Sequence, residues 1–261
     1  MPRLFDFTDA IVRRPGASVV YGLRASGGPD PSLAGILAEH AAYVAALRDA
    51  GLAVTVLDPL EDFPDAIFVE DPALVFPGAA IMLNPGAPSR AGEAALMRPV
   101  LAARFEQVLG LDEGHADGGD VLVMPDKVFI GLSARTDRTG AAALARLLEG
   151  LGYNPVIAET PPDVLHLKTA SSLIDEETVL ATRTLAESGI FAGYRVIAVP
   201  EDEQAGANVL RVDDHLILSS RFPRTADLLD GCGARLLRIA NAEIEKIDAG
   251  FTCMSLRWRA A

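Results

Sequence analysis

At 261 residues, half of them apolar, the chain is long enough to bury a sizeable core as one domain or two. A net charge of −13 argues against nucleic acid as the main partner, because phosphate binding needs a basic footprint, and it suits a cationic small substrate. No apolar run approaches the ~18 residues of a membrane span, and the start lacks the apolar stretch of a signal peptide. Two distant cysteines fit a reducing compartment, so the expected setting is cytoplasmic with no membrane partner.

In chain order, a strand is predicted near 10–13, then a Gly- and Pro-rich loop over 14–31, a helix over 31–50 and a strand over 52–57. That helix places Leu33, Ile36, Leu37, His40, Tyr43, Val44 and Leu47 on one face, a 3.6-residue pattern. Strands follow at 72–76 and 80–84, with a helix at 90–104 and a strand at 105–109. The same order recurs at 120–124, 128–132, 137–151 and 155–158, then at 170–174, 178–182, 184–190 and 195–199. A last run has strands at 208–212 and 216–219, a helix at 224–232 and a strand at 235–239. The strand at 253–258 lacks a neighbour in sequence and is expected to pair with the N-terminal strand. That gives strand–strand–helix–strand units in an α/β fold, one unit split between the termini, in a single domain over 1–261. A doubly wound sheet is the alternative, but it would supply one strand before each helix where this chain supplies two.

Five polar residues recur at nearly one interval: Asp71, Asp117, His166, Asn208 and Cys253 are separated by 46, 49, 42 and 45 positions. Self-similarity at such a period signals a repeat architecture. If the units ring an axis, these positions converge on it, and a thiol, an imidazole and carboxylates share one site. A free cysteine is ordinarily a small buried hydrophobe, and Cys232, near a helix end, is read that way. Cys253 and His166 stand in equivalent slots, which suggests a nucleophile with a general acid/base. Asp117, in D-G-G-D-V, could orient His166 and stabilise its cation, whereas Asp120 is read as satisfying turn amides. His40 is expected on a packed helix face, and His215 in a turn. The segment F-P-D-A-I-F-V-E-D (63–71) holds Asp65, Glu70 and Asp71; as a strand it would point Asp65 and Asp71 one way and Glu70 the other. Acids beside apolar residues there suit either a solvated edge or a guanidinium pocket. Arg90 and Arg135 follow the second strands of successive units, a placement that suits a fork for a substrate carboxylate.

These motifs resemble the dimethylarginine dimethylaminohydrolases of the guanidine-modifying pentein superfamily, almost end to end: A-I-V-R-R-P, F-P-D-A-I-F-V-E-D, N-P-G-A-P-S-R, D-G-G-D-V-L, I-G-L-S-A-R-T, V-L-H-L-K-T and K-I-D-A-G-F-T-C-M-S-L. The resemblance implies a five-fold pseudosymmetric α/β propeller closed by the N- and C-terminal strands. It implies that Cys253 is the nucleophile, His166 the acid/base and Asp117 its orienting carboxylate. Asp71 would hold the substrate guanidinium with Asp65 and Glu70 nearby, and Arg90 and Arg135 the α-carboxylate. Backbone carbonyls of Leu23 and Ile247 would meet the α-amino group, with the 14–30 loop as a lid. Arginine deiminases carry H-L-D-T where this chain has His166-Leu-Lys168-Thr169; the missing aspartate leaves room for methyl groups.

The implied reaction is hydrolysis of Nω-methylated arginine to citrulline and an amine through a thiouronium on Cys253, with no metal or organic cofactor. A substrate cation ~4 Å from the thiolate would interact by about 4 kcal/mol at an effective dielectric of ~20, enough to lower the thiol pKa on binding. A related hydrolase acting on arginine, citrulline or another guanidino or ureido amino acid is the nearer alternative, and a non-catalytic pentein binding protein the remote one. A possible homodimer completes the expectations.

Overall fold

The computed structural model describes residues 4–24 and 28–260. Its strands form five three-stranded sheets. The first combines β1 (Asp9–Arg13), β2 (Ala53–Leu57) and the C-terminal β15 (Leu256–Trp258), with β1 antiparallel to β15 and parallel to β2. The split unit expected from the unpaired terminal strands is therefore present.

The remaining sheets repeat one plan, an antiparallel hairpin whose second strand pairs in parallel with a third strand after a helix. They are β3 (Ala73–Phe76), β4 (Ala79–Met82) and β5 (Gln107–Gly110); β6 (Val121–Val123), β7 (Val128–Leu132) and β8 (Pro155–Glu159); β9 (Ser171–Leu173), β10 (Thr178–Ala181) and β11 (Arg195–Ala198); and β12 (Leu210–Val212), β13 (His215–Ser219) and β14 (Arg235–Ile239). The helices are α1 (Leu33–Asp49), α2 (Glu93–Ala102), α3 (Arg138–Gly150), α4 (Arg183–Glu187), α5 (Pro223–Leu229) and α6 (Ala242–Glu245), the last unforeseen in the sequence. None of the helices is long and apolar enough to cross a membrane.

The apolar core is divided, and the division closes the ring. Each middle strand is buried on both faces, and its successive residues enter different cores. In β4, Ala80 and Met82 pack with α2 and β15, whereas Ile81 packs with β6, β7 and α3. In β10, Val179 and Ala181 face the β6–β7 unit, and Leu180 faces β13 and α5. In β13, Leu216 and Leu218 face β10, and Ile217 faces α1 and β1. The period-2 alternation of a strand thus glues every unit to both neighbours, and the last core joins the fifth unit to the first. On α1 the buried face carries Ile36, His40, Tyr43, Val44 and Leu47 as expected, but Leu37 is 39 % exposed and Glu39 is buried in its place. Glu39 is drawn inward because its carboxylate accepts the Glu243 and Ile244 amides that open α6.

Candidate active site

The segment 63–71 is a succession of turns instead of a strand. Its backbone bends because Phe63, Asp65 and Phe68 carbonyls accept the amides of Ala66, Phe68 and Asp71, and the bends swing Asp65 and Asp71 into a cleft of about 130 Å³ that also receives His166 and Cys253. Four of the five recurrent positions lie at the ends of first strands or in the 3-10 turns beside them, and hydrogen bonds link each unit to the next. Asp71 accepts the Gly119 amide at 3.0 Å; Asp117 meets His166 at 3.0 Å; Asn208 donates to the Lys168 carbonyl at 2.8 Å and to Thr252 Oγ1 at 2.9 Å; Glu70 N–H donates to the Cys253 carbonyl at 3.2 Å. Followed in order, these links return to their start. The nearly constant interval in the sequence is the spacing of this ring.

Asp117 is fully buried; its Oδ1 accepts the Gly86 amide at 2.8 Å and its Oδ2 faces His166 Nε2. Burial pulls the imidazole pKa down, but the Asp117 hydrogen bond and the charges of Asp71 and Asp120 outweigh it and push it up to about 9. His166 is therefore an imidazolium at neutral pH. The Cys253 thiol is pushed the other way: burial, then the nearby Glu70 and Asp71 charges, raise it to about 12. The resting pair is a neutral thiol and a cationic imidazole.

Asp71 binds Arg90 Nη1. Burial works against its charge, but Arg90 and the His166 cation hold its carboxyl below the usual range, so it stays ionised. Asp65, raised chiefly by burial, accepts the Leu23 amide at 2.9 Å and so fixes the start of the lid loop against the cleft. Leu23 and Ile247 both line the cleft. On the near side of the loop Arg24 bonds Pro29 O and Asp30; the lid expected over 14–30 includes residues 25–27, which lie outside the described residues.

The two arginines differ. Arg90 is buried with Nε and Nη2 bound to Glu93 and Nη2 also to the carbonyls of Asp65 and Phe68, which leaves only Nη1, shared with Asp71, for a ligand. The open fork expected of it is already engaged. Arg135 is half-buried at the cleft wall, and its guanidinium makes no hydrogen bond or ion pair with another described side chain.

Glu70 requires a correction. Its carboxylate does not line the cleft; Oε1 pairs with Lys168 Nζ at 2.7 Å and Arg257 Nη2 at 3.3 Å on the opposite side of the ring. A buried carboxylate goes where cations meet it, and the cations are on that side. Asp120 also differs from its reading as a turn residue: it accepts from Ser133 Oγ, Thr136 Oγ1 and the Leu167 amide, tying the turn after β7 to the residue next to His166. Phe68, Leu165, Asp248 and Ala249 complete the cleft wall. The sequence carried adjacency to His166 and Ile247 as the signal for Leu165, Asp248 and Ala249, and for Phe68 only its place within the 63–71 segment. Asp71, Asp117 and His166 bring one ligand atom each within 4.8 Å of one another, but a cation there would have to displace the Arg90–Asp71 and His166–Asp117 pairs.

The family model described as arginine deiminase matches residues 55–195. The dimethylarginine dimethylaminohydrolase of Pseudomonas aeruginosa is 34% identical over 254 residues, covering 97% of this chain and all of that protein; the Streptomyces coelicolor protein of the same name is 34% identical over 96% of both. The structure of a cysteine-to-serine variant of the Pseudomonas enzyme complexed with citrulline superposes with a TM-score of 0.94 over 97% of this chain and 100% of that one. At 16% identity, the N-terminal domain of the cyanobacterial arginine dihydrolase ArgZ shares the fold, with a TM-score of 0.84 over 98% of this chain and 100% of that one. The five-bladed α/β propeller agrees with these likenesses, and the chain belongs to the arginine deiminase–dimethylarginine dimethylaminohydrolase family.

Proposed function

We propose that this chain hydrolyses Nω-methylated arginines, asymmetric dimethylarginine and monomethylarginine, to citrulline and dimethylamine or methylamine. The observation that carries the reading is the meeting of Cys253, the Asp117-bound His166 and the ionised Asp71 in one small cleft, in a chain related end to end to enzymes of that name.

The guanidinium enters beside Asp71, and Arg135, with Nη1 of Arg90, receives the α-carboxylate. The carbonyls of Leu23 and Ile247 receive the α-amino group. The arriving cation offsets the burial that keeps the Cys253 thiol neutral, and the thiol releases its proton to solvent water, His166 being already protonated. The thiolate attacks the guanidinium carbon to form the C–S bond. As the C–N bond breaks, imidazolium His166 delivers its proton to the departing amine. Neutral His166 then takes a proton from water, the hydroxide adds to the thiouronium carbon, and the C–S bond breaks to give citrulline and the free cysteine. Asp117 keeps the imidazole oriented and its cation stabilised throughout.

Methylated substrate is favoured because Lys168 stands where arginine deiminases carry an aspartate, and its ammonium is turned away to Glu70. No second carboxylate at that position grips the far nitrogen, and the cleft wall includes the apolar Phe68 and Leu165. A preference over arginine by one or two methyl groups amounts to about 1–3 kcal/mol in such a pocket. Product analysis with asymmetric dimethylarginine, arginine and citrulline in parallel tests the reading. Dimethylamine and citrulline from the first, with little ammonia from the others, is expected; ammonia from arginine or citrulline without dimethylamine would transfer the machinery to an unmethylated substrate. We further infer a cytoplasmic setting, which two free thiols support, and one catalytic domain over 1–261; cell fractionation checks the compartment.

A further inference from the structure

Behind Cys253 lies a second cavity that the reaction does not use. It occupies about 330 Å³ and is lined by all five inner strands, β3, β6, β9, β12 and β15, so it lies on the ring axis. Neighbouring residues divide between the two spaces: Asp71, His166 and Cys253 face the cleft, while Glu70, Lys168 and Thr252 face the cavity.

We propose that this cavity is a ligand site for a compact amphipathic organic anion, an apolar body of several carbons ending in a carboxylate, and that filling it acts on the Cys253 loop. Its volume falls in the range of small-molecule sites. The walls are apolar, built from Leu74, Leu122, Leu173, Leu210 and Leu256, with Trp258 beside them. The charged lining is basic, Lys168, Arg211, Arg257 and Arg259 against Asp6 and Glu70, in a chain where acids outnumber bases 36 to 23. Local positive charge against the overall sign selects an anionic head, and the leucines select the body.

The cavity reaches the reaction through its floor. Arg257 Nη1 donates to the Thr252 carbonyl at 3.2 Å and the Ser255 carbonyl at 2.6 Å, which bracket Cys253, and Glu70 N–H holds the Cys253 carbonyl. Glu70 Oε2 and Arg257 Nε are buried without a hydrogen-bond partner among the described residues. The Glu70–Lys168–Arg257 cluster therefore has bonding capacity left for a second arrangement when the cavity fills. After burial, the Glu70 charge has the largest effect on the thiol, so a shift of the cluster is felt at Cys253.

Trp258 is the chain's one tryptophan and lines this cavity, not the cleft, which provides a reporter independent of activity and of the substrate assigned above. Octanoate titrated into the full chain should change Trp258 fluorescence saturably, with or without arginine filling the cleft, and should change the rate at which iodoacetamide alkylates Cys253. Octanol should bind more weakly. Val123→Phe, which fills the cavity from β6, should abolish the response. Arg259→Glu, at an exposed position outside the catalytic machinery, should weaken octanoate roughly tenfold and leave octanol unchanged. A non-saturable response, competition by arginine, equal binding of octanol, or an unaltered response in both variants would overturn the site. A saturable response with no change in alkylation would overturn the coupling.

Discussion

The resting ionisation of Cys253 and His166 differs from a preformed thiolate–imidazolium pair at the thiol alone, which burial and the Glu70 and Asp71 charges keep protonated. Ultraviolet titration of the free protein should find Cys253 a neutral thiol at neutral pH, with ionisation moving down when a substrate-like cation occupies the cleft; a thiolate already formed at neutral pH and insensitive to the cation would contradict the account. His166 carries a second consequence. Its folded pKa of about 9 lies above the ordinary 6.5, so its contribution to stability is complete below pH 6.5 and is lost as pH rises through 9. The loss is on the order of 3 kcal/mol. Urea unfolding at pH 6.5 and pH 9 should show that slope in the parent chain and not in His166→Asn; equal slopes would remove the Asp117–His166 bond as its source. Arg135→Ala should raise KM at least tenfold while kcat changes little, since in the proposed binding mode Arg135 meets only the α-carboxylate, which does not react. An unchanged KM would sink the carboxylate assignment. At this scale the sequence revealed which residues meet in the cleft, since Cys253, His166, Asp117 and Asp71 announced themselves by interval. It did not reveal which way side chains turn when cations decide the matter. Glu70 turns to Lys168 and Arg257, and Arg90 to Asp71 as well as to its neighbour Glu93; Lys168, Arg257 and Asp71 are distant in sequence from their partners, and no local pattern encodes those pairs.

Elements position these residues through close backbone approaches between units. A Cβ on Gly118 would stand 2.0 Å from the Glu70 carbonyl, and backbone on both sides cannot give way. Gly118→Ala should therefore lower the Tm and the activity together; a variant with the parent's Tm and turnover would show that the turn after Asp117 has more freedom than its packing implies. Lys168→Met tests the cluster beneath the nucleophile. It removes the 2.7 Å partner of a buried carboxylate and leaves Glu70 with Arg257 alone, which should cost roughly 3 kcal/mol in urea unfolding. Strands and longer helices were legible from alternation and 3.6-residue periodicity, with boundaries displaced by a residue or a few. The turns of 63–71 were not. An apolar run, 66–69, between acidic residues mimics a strand there, and the bends come from backbone bonds and from Arg90 pulling on the Asp65 and Phe68 carbonyls. The short α6 escaped notice because its start is held by Glu39, some two hundred positions earlier.

On the scale of the molecule, the ring explains why so much function was written in the sequence as an interval. Five shared cores and a closed series of hydrogen bonds bring one position per unit to the axis, so spacing along the chain becomes convergence in space. The same closure produces two compartments back to back, and only the one holding Asp71 and Cys253 had a signature, because leucines lining a central cavity read like leucines of any core. In the proposed reaction this convergence makes the Cys253 sulfur the atom that attacks a methylated guanidinium. Acid quenching of the protein during steady-state turnover of asymmetric dimethylarginine, followed by mass spectrometry of the peptide containing Cys253, tests it most directly. The account predicts a covalent adduct on Cys253 equal to the substrate less dimethylamine, absent in Cys253→Ser and decaying to free thiol as citrulline appears. Turnover to citrulline with Cys253 never modified, or activity retained in Cys253→Ser, would contradict it.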